Sequence, residues 1–143
     1  AAERIEPWRL RRLQEVCDKM RALLEEYRSG TTWDEQHRQA LLETDMEFHT
    51  IIAQAAENSR LEKLLLDYRL LQRMLAYSDR LGSVSSLATR AWAWGQHVRI
   101  LRALRARDSE AARQAMARHL AAARRNAVAA YEALQRAPEN NET

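Results

Sequence analysis

The sequence contains only one cysteine, two prolines and three glycines among its 143 residues. The single cysteine, Cys17, excludes an intramolecular disulfide, is expected to be a small core residue, and fits a protein of the reducing cytoplasm. Scarce proline and glycine leave few points at which a helix must break, and alanine, leucine, arginine and glutamate dominate instead. This composition predicts an all-α fold in a single domain, since a chain of this length supports one core.

Long apolar runs and blocks of like charge are also missing. No stretch approaches 18 consecutive apolar residues, so we expect no membrane-spanning helix, and residues 1–4 lack the apolar core of a signal peptide. The net charge of +3 comes from 23 basic and 20 acidic residues, which are interleaved. We therefore do not expect this segment itself to bind DNA. Because helix-like sequence begins almost at once, we expect the chain to be a fragment of a longer protein.

Apolar residues that recur at three- and four-residue spacing predict the helices. The first is expected to start at Pro7, whose missing N–H is not needed in a first turn, and to stop at Gly30. The second is expected to begin with a capping box in which Thr32 is the N-cap and Glu35 reaches back to it. Both helices are amphipathic, and this pattern predicts that each packs one face against a core.

The remaining helices complete a bundle. The third is expected to face inward with a stripe that includes Leu61, Leu64 and Tyr68. An extended loop signal precedes the fourth helix, and Asp108 or Ser109 is expected to cap the fifth.

Short connections then predict an antiparallel bundle of five to six helices. We expect one domain over residues 1–137 and a polar tail over residues 138–143.

Asp45 and His49 place a carboxylate and an imidazole on one face of the second helix, because residues four apart lie one above the other. That face also carries Phe48 and is apolar, and a charge facing a core is costly unless it is paired or coordinated. His97 and His119 occur on apolar faces of the fourth and fifth helices. Side chains near the middle of antiparallel helices reach a common depth. We therefore expect Asp45, His49, His97 and His119 to meet around one metal ion in the core.

Each of these residues also has an interpretation without a metal. A lone histidine on an apolar face is commonly a hydrogen-bonded core residue, and Asp45 could pair with Arg69 or Arg73. By contrast, His37 lies among polar residues and is expected to be exposed to solvent. Imidazole and carboxylate ligands suit divalent Zn, Ni, Mn or Fe. Coordination to one ion would give all four core-facing polar side chains a partner, and this favours the interpretation with a metal.

The same residues resemble a known family. The motifs, in chain order, are Asp45-x-x-Phe48-His49, Asn58-x-x-Leu61, His97-x-x-Ile100-Leu101-x-Ala103-Leu104, Asp108-x-x-x-Ala112 and Ala117-x-His119-Leu120. From about Leu10 to Leu120 they resemble the FCD domain, the effector-sensing domain of GntR-family bacterial transcription regulators. The resemblance implies that an aspartate and three histidines hold a divalent ion, and these match Asp45, His49, His97 and His119.

The resemblance also implies a function. A small carboxylate effector would dock on the open positions of an octahedral ion, and Arg69 and Arg73 would pair with the rest of the acid. Tyr68 and Gln72 would line the pocket. Effector binding would change the packing of a homodimer and the spacing of its N-terminal winged helix-turn-helix domains. Compared with the family pattern, we expect this stretch of sequence to include neither that DNA-binding domain nor most of the first FCD helix. The expected protein is a cytoplasmic regulator and not an enzyme, and it contacts DNA only through the missing domain.

Two other classes stay open at this point. A mononuclear metalloenzyme would use the open positions of the ion to activate water or oxygen. The inner faces, however, offer no additional Glu or His as a general base, and the Glu-x-x-His pairs of di-iron bundles are missing. A metal-free helical interaction domain would leave Asp45 and three histidines buried without a common partner. Metal content therefore separates these classes most directly.

Overall fold

The computed structural model describes residues 2–30, 34–76 and 87–136. Within these ranges the chain forms five helices and no strand: α1 (Pro7–Arg28), α2 (Glu35–Ala55), α3 (Ser59–Ala76), α4 (Leu87–Arg105) and α5 (Ser109–Arg136). The predicted all-α bundle of five to six helices is confirmed. None of the described helices is both long enough and apolar enough to cross a bilayer. The predicted polar tail, residues 138–143, lies outside the described residues.

α1 lies at the centre of the bundle. α2 and α4 both pack against it, α5 packs against α4, and α3 packs against α2. The indole N–H of Trp94 on α4 donates to the carbonyl oxygen of Cys17 on α1 at 3.0 Å, which ties these two helices together. The core combines apolar side chains from four helices, namely Leu13, Val16, Met20, Phe48, Ile51, Ile100, Leu101, Leu104, Ala112 and Ala115. Three of the helices that build this core, α2, α4 and α5, also carry the predicted metal ligands.

Side-chain caps set where α2 and α5 begin. The N-cap of α2 is Asp34, whose carboxylate accepts from the backbone N–H of His37 at 3.0 Å. The prediction of Thr32 as N-cap is therefore wrong, and Thr32 itself lies outside the described residues. At α5 the carboxylate of Asp108 accepts from the N–H of Ala111 at 2.9 Å. Of the two candidates for that cap, the structure selects Asp108.

α3 is more exposed than its sequence pattern predicts. Leu61, Leu64 and Tyr68 are 40%, 58% and 51% exposed, so the expectation that they face inward is wrong. Periodicity shows which side of a helix is apolar, but burial also needs a neighbour on that side. In the described part of the bundle, the neighbour of α3 is α2.

Cys17 is a core residue, as predicted, with 1% of its surface exposed. Burial raises the pKa of its thiol to about 11. Because the thiolate is the reactive form, we expect iodoacetamide at pH 8 to label the native protein at least about 100-fold more slowly than the unfolded protein. Mass spectrometry of timed samples measures both rates. Equal rates in the two states would contradict the buried position.

Candidate metal centre

α2, α4 and α5 bring four polar side chains together in the core. Asp45 and His49 lie one turn apart on α2, His97 lies on α4, and His119 lies on α5. His97 and His119 are buried, while Asp45 and His49 are partly exposed. One possible ligand atom from each residue lies within 4.8 Å of the other three. The structure therefore brings together all four residues that the sequence predicted as metal ligands.

The atoms that face one another are ring nitrogens and carboxylate oxygens. The Nε2 atoms of His49 and His119 are 3.2 Å apart, and their rings stack with centroids 5.1 Å apart. Nε2 of His97 is 3.4 Å from Oδ1 of Asp45, and Nε2 of His49 is 4.0 Å from Oδ2 of Asp45. Ligand atoms that share one ion at about 2.0–2.2 Å are themselves about 3–3.5 Å apart. The cluster is thus close to the spacing that a shared ion requires.

Phe48 holds the histidine rings in place. Its side chain is fully buried, and its ring centroid lies 4.3 Å from that of His97. It also makes an edge contact with His49, with centroids 5.7 Å apart and planes at 86°. Since Phe48 lies beside His49 on α2 and packs on His97 of α4, it fixes the relative positions of two candidate ligands.

Burial sets the protonation states of the cluster. It lowers the pKa of His49 to about 4, and it lowers the pKa of His97 to about 2, with His49 and His119 adding to that shift. The pKa of His119 is also lowered by burial, and Asp45 opposes this shift. Burial raises the pKa of the Asp45 carboxyl to about 6, while His119 lowers it. At neutral pH the three imidazoles are therefore uncharged, which is the form that binds a metal.

Unpaired buried nitrogens test whether the residues fit a metal ion. Both ring nitrogens of His97 and Nδ1 of His119 are buried and have no hydrogen-bond partner among the described residues. A buried polar group without a partner costs about 1–3 kcal/mol. An ion bound to Nε2 of His97 would supply one of these missing partners. Three imidazoles and one carboxylate suit Zn²⁺, Ni²⁺ or Mn²⁺, so the donor set fits a divalent ion.

The other predicted site residues lie on α3. Tyr68 is described and is half-exposed. The side chains of Arg69, Gln72 and Arg73 lie outside the described residues, although the α3 backbone that carries them is described. Their roles at the site stay predictions.

His37 is the one histidine that lies apart from the cluster. Only 22% of its side chain is exposed to solvent, so His37 is less exposed than predicted. Its Nδ1 lies 2.6 Å from a carboxylate oxygen of Asp34, and its Nε2 lies 3.5 Å from one of Glu26. His37 therefore links the end of α1 to the start of α2.

Gln96 is a polar core residue that was not among the predicted site residues. It is 4% exposed, and its Oε1 has no hydrogen-bond partner within the described ranges. A signal was available, since an amide side chain precedes His97 within an otherwise apolar stretch of α4.

A family model described as the FCD domain matches residues 1–122. The matched range contains α1 to α4 and the first half of α5, and so it includes every residue of the four-residue cluster. No curated protein and no solved structure gives a significant match to the chain.

Proposed function

The chain belongs to the FCD domain family, the effector-binding domains of GntR-type regulators, and on that premise we propose that it is a metal-dependent sensor of a small organic acid. FCD domains belong to regulatory proteins rather than enzymes, and such a regulator contacts DNA through a separate domain. The observation that carries the metal-dependent part is the convergence of Asp45, His49, His97 and His119 within 4.8 Å. We further propose that the whole regulator is a cytoplasmic homodimer. Val128 and Tyr131 are exposed apolar side chains three residues apart on α5, so they share one face of that helix and support a partner surface there.

The charge of the proposed site favours an acid as effector. One carboxylate, from Asp45, and three uncharged imidazoles leave a divalent ion with an excess positive charge, which attracts an anion. An octahedral ion with four protein ligands would supply two further positions for the oxygens of a carboxylate. Arg69 and Arg73 lie four residues apart on α3 and so share one face of that helix. In the proposed complex they pair with the remainder of the acid.

A thermal-shift screen against small carboxylic acids tests the sensor function. We expect an acid that binds to raise the melting temperature of the metal-loaded protein and to have no effect after EDTA treatment, because its docking position is the ion itself. An increase that persists in EDTA would contradict docking on the metal.

The arginines are tested with the acid that the screen identifies. Arg69→Gln and Arg73→Gln should each weaken its binding about 10- to 100-fold, as expected for the loss of a charge-assisted hydrogen bond, and should leave metal content unchanged. Arg102→Gln removes an exposed cation of α4 and is the matched control, which should bind the acid normally. Calorimetry gives the affinities. Unchanged affinity in both α3 variants would contradict the proposed role of these two side chains.

A further inference from the structure

Two residues other than glycine have a positive φ in the described part of the chain: Glu57 at +53° and Arg107 at +58°. They follow the C-terminal ends of α2 and α4. At α4 the N–H of Asp108 donates to the carbonyl oxygen of Ala103 at 3.0 Å, which is the Schellman arrangement, and the same arrangement ends α2. Glycine is the usual residue at this position, because a side chain is disfavoured there. The presence of Glu57 and Arg107 at these two positions indicates that each side chain makes a contact that glycine could not make.

Both side chains contact the stretch that precedes α1, residues 2–6, here named the N-terminal segment. One guanidinium nitrogen of Arg107 donates to the carbonyl oxygens of Ala2 at 3.2 Å and Ile5 at 2.6 Å. Ala2 and Ile5 are 5% and 1% exposed and belong to the core cluster. Arg107 therefore holds a packed segment to the turn between α4 and α5 through partly buried, charge-assisted hydrogen bonds.

Two further contacts to the N-terminal segment are exposed. A carboxylate oxygen of Glu57 lies 3.5 Å from a guanidinium nitrogen of Arg4, with about three quarters of each side chain in solvent. The hydroxyl of Ser109 donates to the carboxylate of Glu3 at 3.2 Å. Exposed pairs of this kind contribute little. The remaining polar contacts of the segment, those of Glu6, are to Arg9 and Leu10 at the start of α1 itself. Of the polar contacts that join the segment to the other helices, those of Arg107 are therefore the strongest.

The N-terminal segment is attached to the same helices that carry the candidate metal ligands. A cavity of about 350 Å³ lies against Ala2, Glu3 and Arg4 of the segment. Its lining includes one residue that lies three positions, about one turn, from each histidine of the cluster: Ile52 on α2, Ile100 on α4 and Met116 on α5. Close packing keeps neighbouring helices at a fixed separation. Ile100 belongs to the core cluster, and Ile52 and Met116 pack against it. A change in the spacing of the three helices at the histidines is therefore passed through packed side chains to the residues that face the segment.

We propose that metal binding at the cluster holds the N-terminal segment in place, with Arg107 as the residue that transmits the effect. The ion fixes the spacing of α2, α4 and α5, and the turn that carries Arg107 then stays in reach of Ala2 and Ile5. An ion favours the docked segment only if it binds that arrangement more tightly. This inference rests on the proposed metal site. In the regulator, a DNA-binding domain joined ahead of the segment would receive the signal through it.

Hydrogen exchange measured by mass spectrometry on the full 143-residue chain tests this inference, with Zn²⁺ as the probe. Zn²⁺ is used at about 100 times the Kd obtained by calorimetry on the same samples. Ligand at that level slows any opening that destroys its site by up to about 100-fold. We expect exchange in the peptide that covers residues 2–6 to slow at least about tenfold in the wild type. In Arg107→Gly the slowing should fall below about twofold while Zn²⁺ still binds, because glycine preserves the turn.

Glu57→Gly is the matched control. It relieves the same backbone conformation at the end of α2 but removes only an exposed ion pair, so it should retain most of the wild-type slowing. If calorimetry detects no Zn²⁺ binding, both the proposed metal site and this inference fail. If Zn²⁺ binds but leaves exchange of the segment unchanged, or slows it equally in Arg107→Gly, the role of Arg107 is wrong and the proposed metal site stands.

Discussion

Replacing His97 with leucine should make the metal-free protein more stable, although it removes a buried side chain from the centre of the fold. His97 is 1% exposed, and neither ring nitrogen has a hydrogen-bond partner among the described residues. An apolar side chain of similar size removes both unpaired groups, each of which costs about 1–3 kcal/mol. We expect the free energy of unfolding to rise by about 1–3 kcal/mol. Urea denaturation in EDTA measures it.

His37→Leu is the matched control for this result. His37 contacts carboxylates of Asp34 and Glu26, so its replacement should lower stability slightly or leave it unchanged. A loss of several kcal/mol in His97→Leu would contradict the prediction. That outcome would mean that His97 is a satisfied core histidine, as a metal-free interaction domain requires.

Metal should stabilise the wild-type protein strongly. An ion that binds only the folded state adds about 2.7 kcal/mol to the free energy of unfolding at 100 times its Kd, and about 4.1 kcal/mol at 1,000 times. His119→Ala removes a proposed ligand and should weaken binding at least about 100-fold, since even outer-shell changes weaken it 10- to 100-fold. At the metal concentration that equals 100 times the wild-type Kd, this variant should then gain only about 0.4 kcal/mol.

Urea denaturation with and without Zn²⁺ checks this difference. His37→Ala removes a histidine that is not part of the cluster, and it should keep the full stabilisation. Equal stabilisation of the wild type and His119→Ala would show that the ion binds elsewhere. No stabilisation of the wild type would contradict metal binding to the folded state.

The convergence of Asp45, His49, His97 and His119 was predictable because each step depended on local geometry. A helix places Asp45 and His49 on one face whatever surrounds it, and the apolar neighbours of His97 and His119 point both toward the core. The structure brings these four residues together. The composition that predicted an all-α chain worked for the same reason, since helical propensity and spacing are properties of short stretches.

Features that depend on neighbours were not predictable in this way. The apolar stripe of α3 is visible in the sequence, but Leu64 and Tyr68 remain exposed because covering them depends on what packs there. The N-cap of α2 was misplaced by two residues, since Thr32 and Asp34 are both good caps. The positive φ of Arg107 was invisible, because the sequence signal for that conformation is glycine. The structural role of Arg107 depends on contacts to residues about a hundred positions away in the sequence, which no local pattern reveals.

The metal content of the purified protein decides whether the four-residue cluster is a metal site. The wild type, Asp45→Ala and His119→Ala are each supplemented with Zn²⁺, Ni²⁺ or Mn²⁺, desalted and analysed for metal per chain. We predict close to one equivalent in the wild type for at least one of these ions and much less in both variants. A wild type that retains no metal after supplementation, or variants that retain as much as the wild type, would contradict a metal site formed by Asp45, His49, His97 and His119.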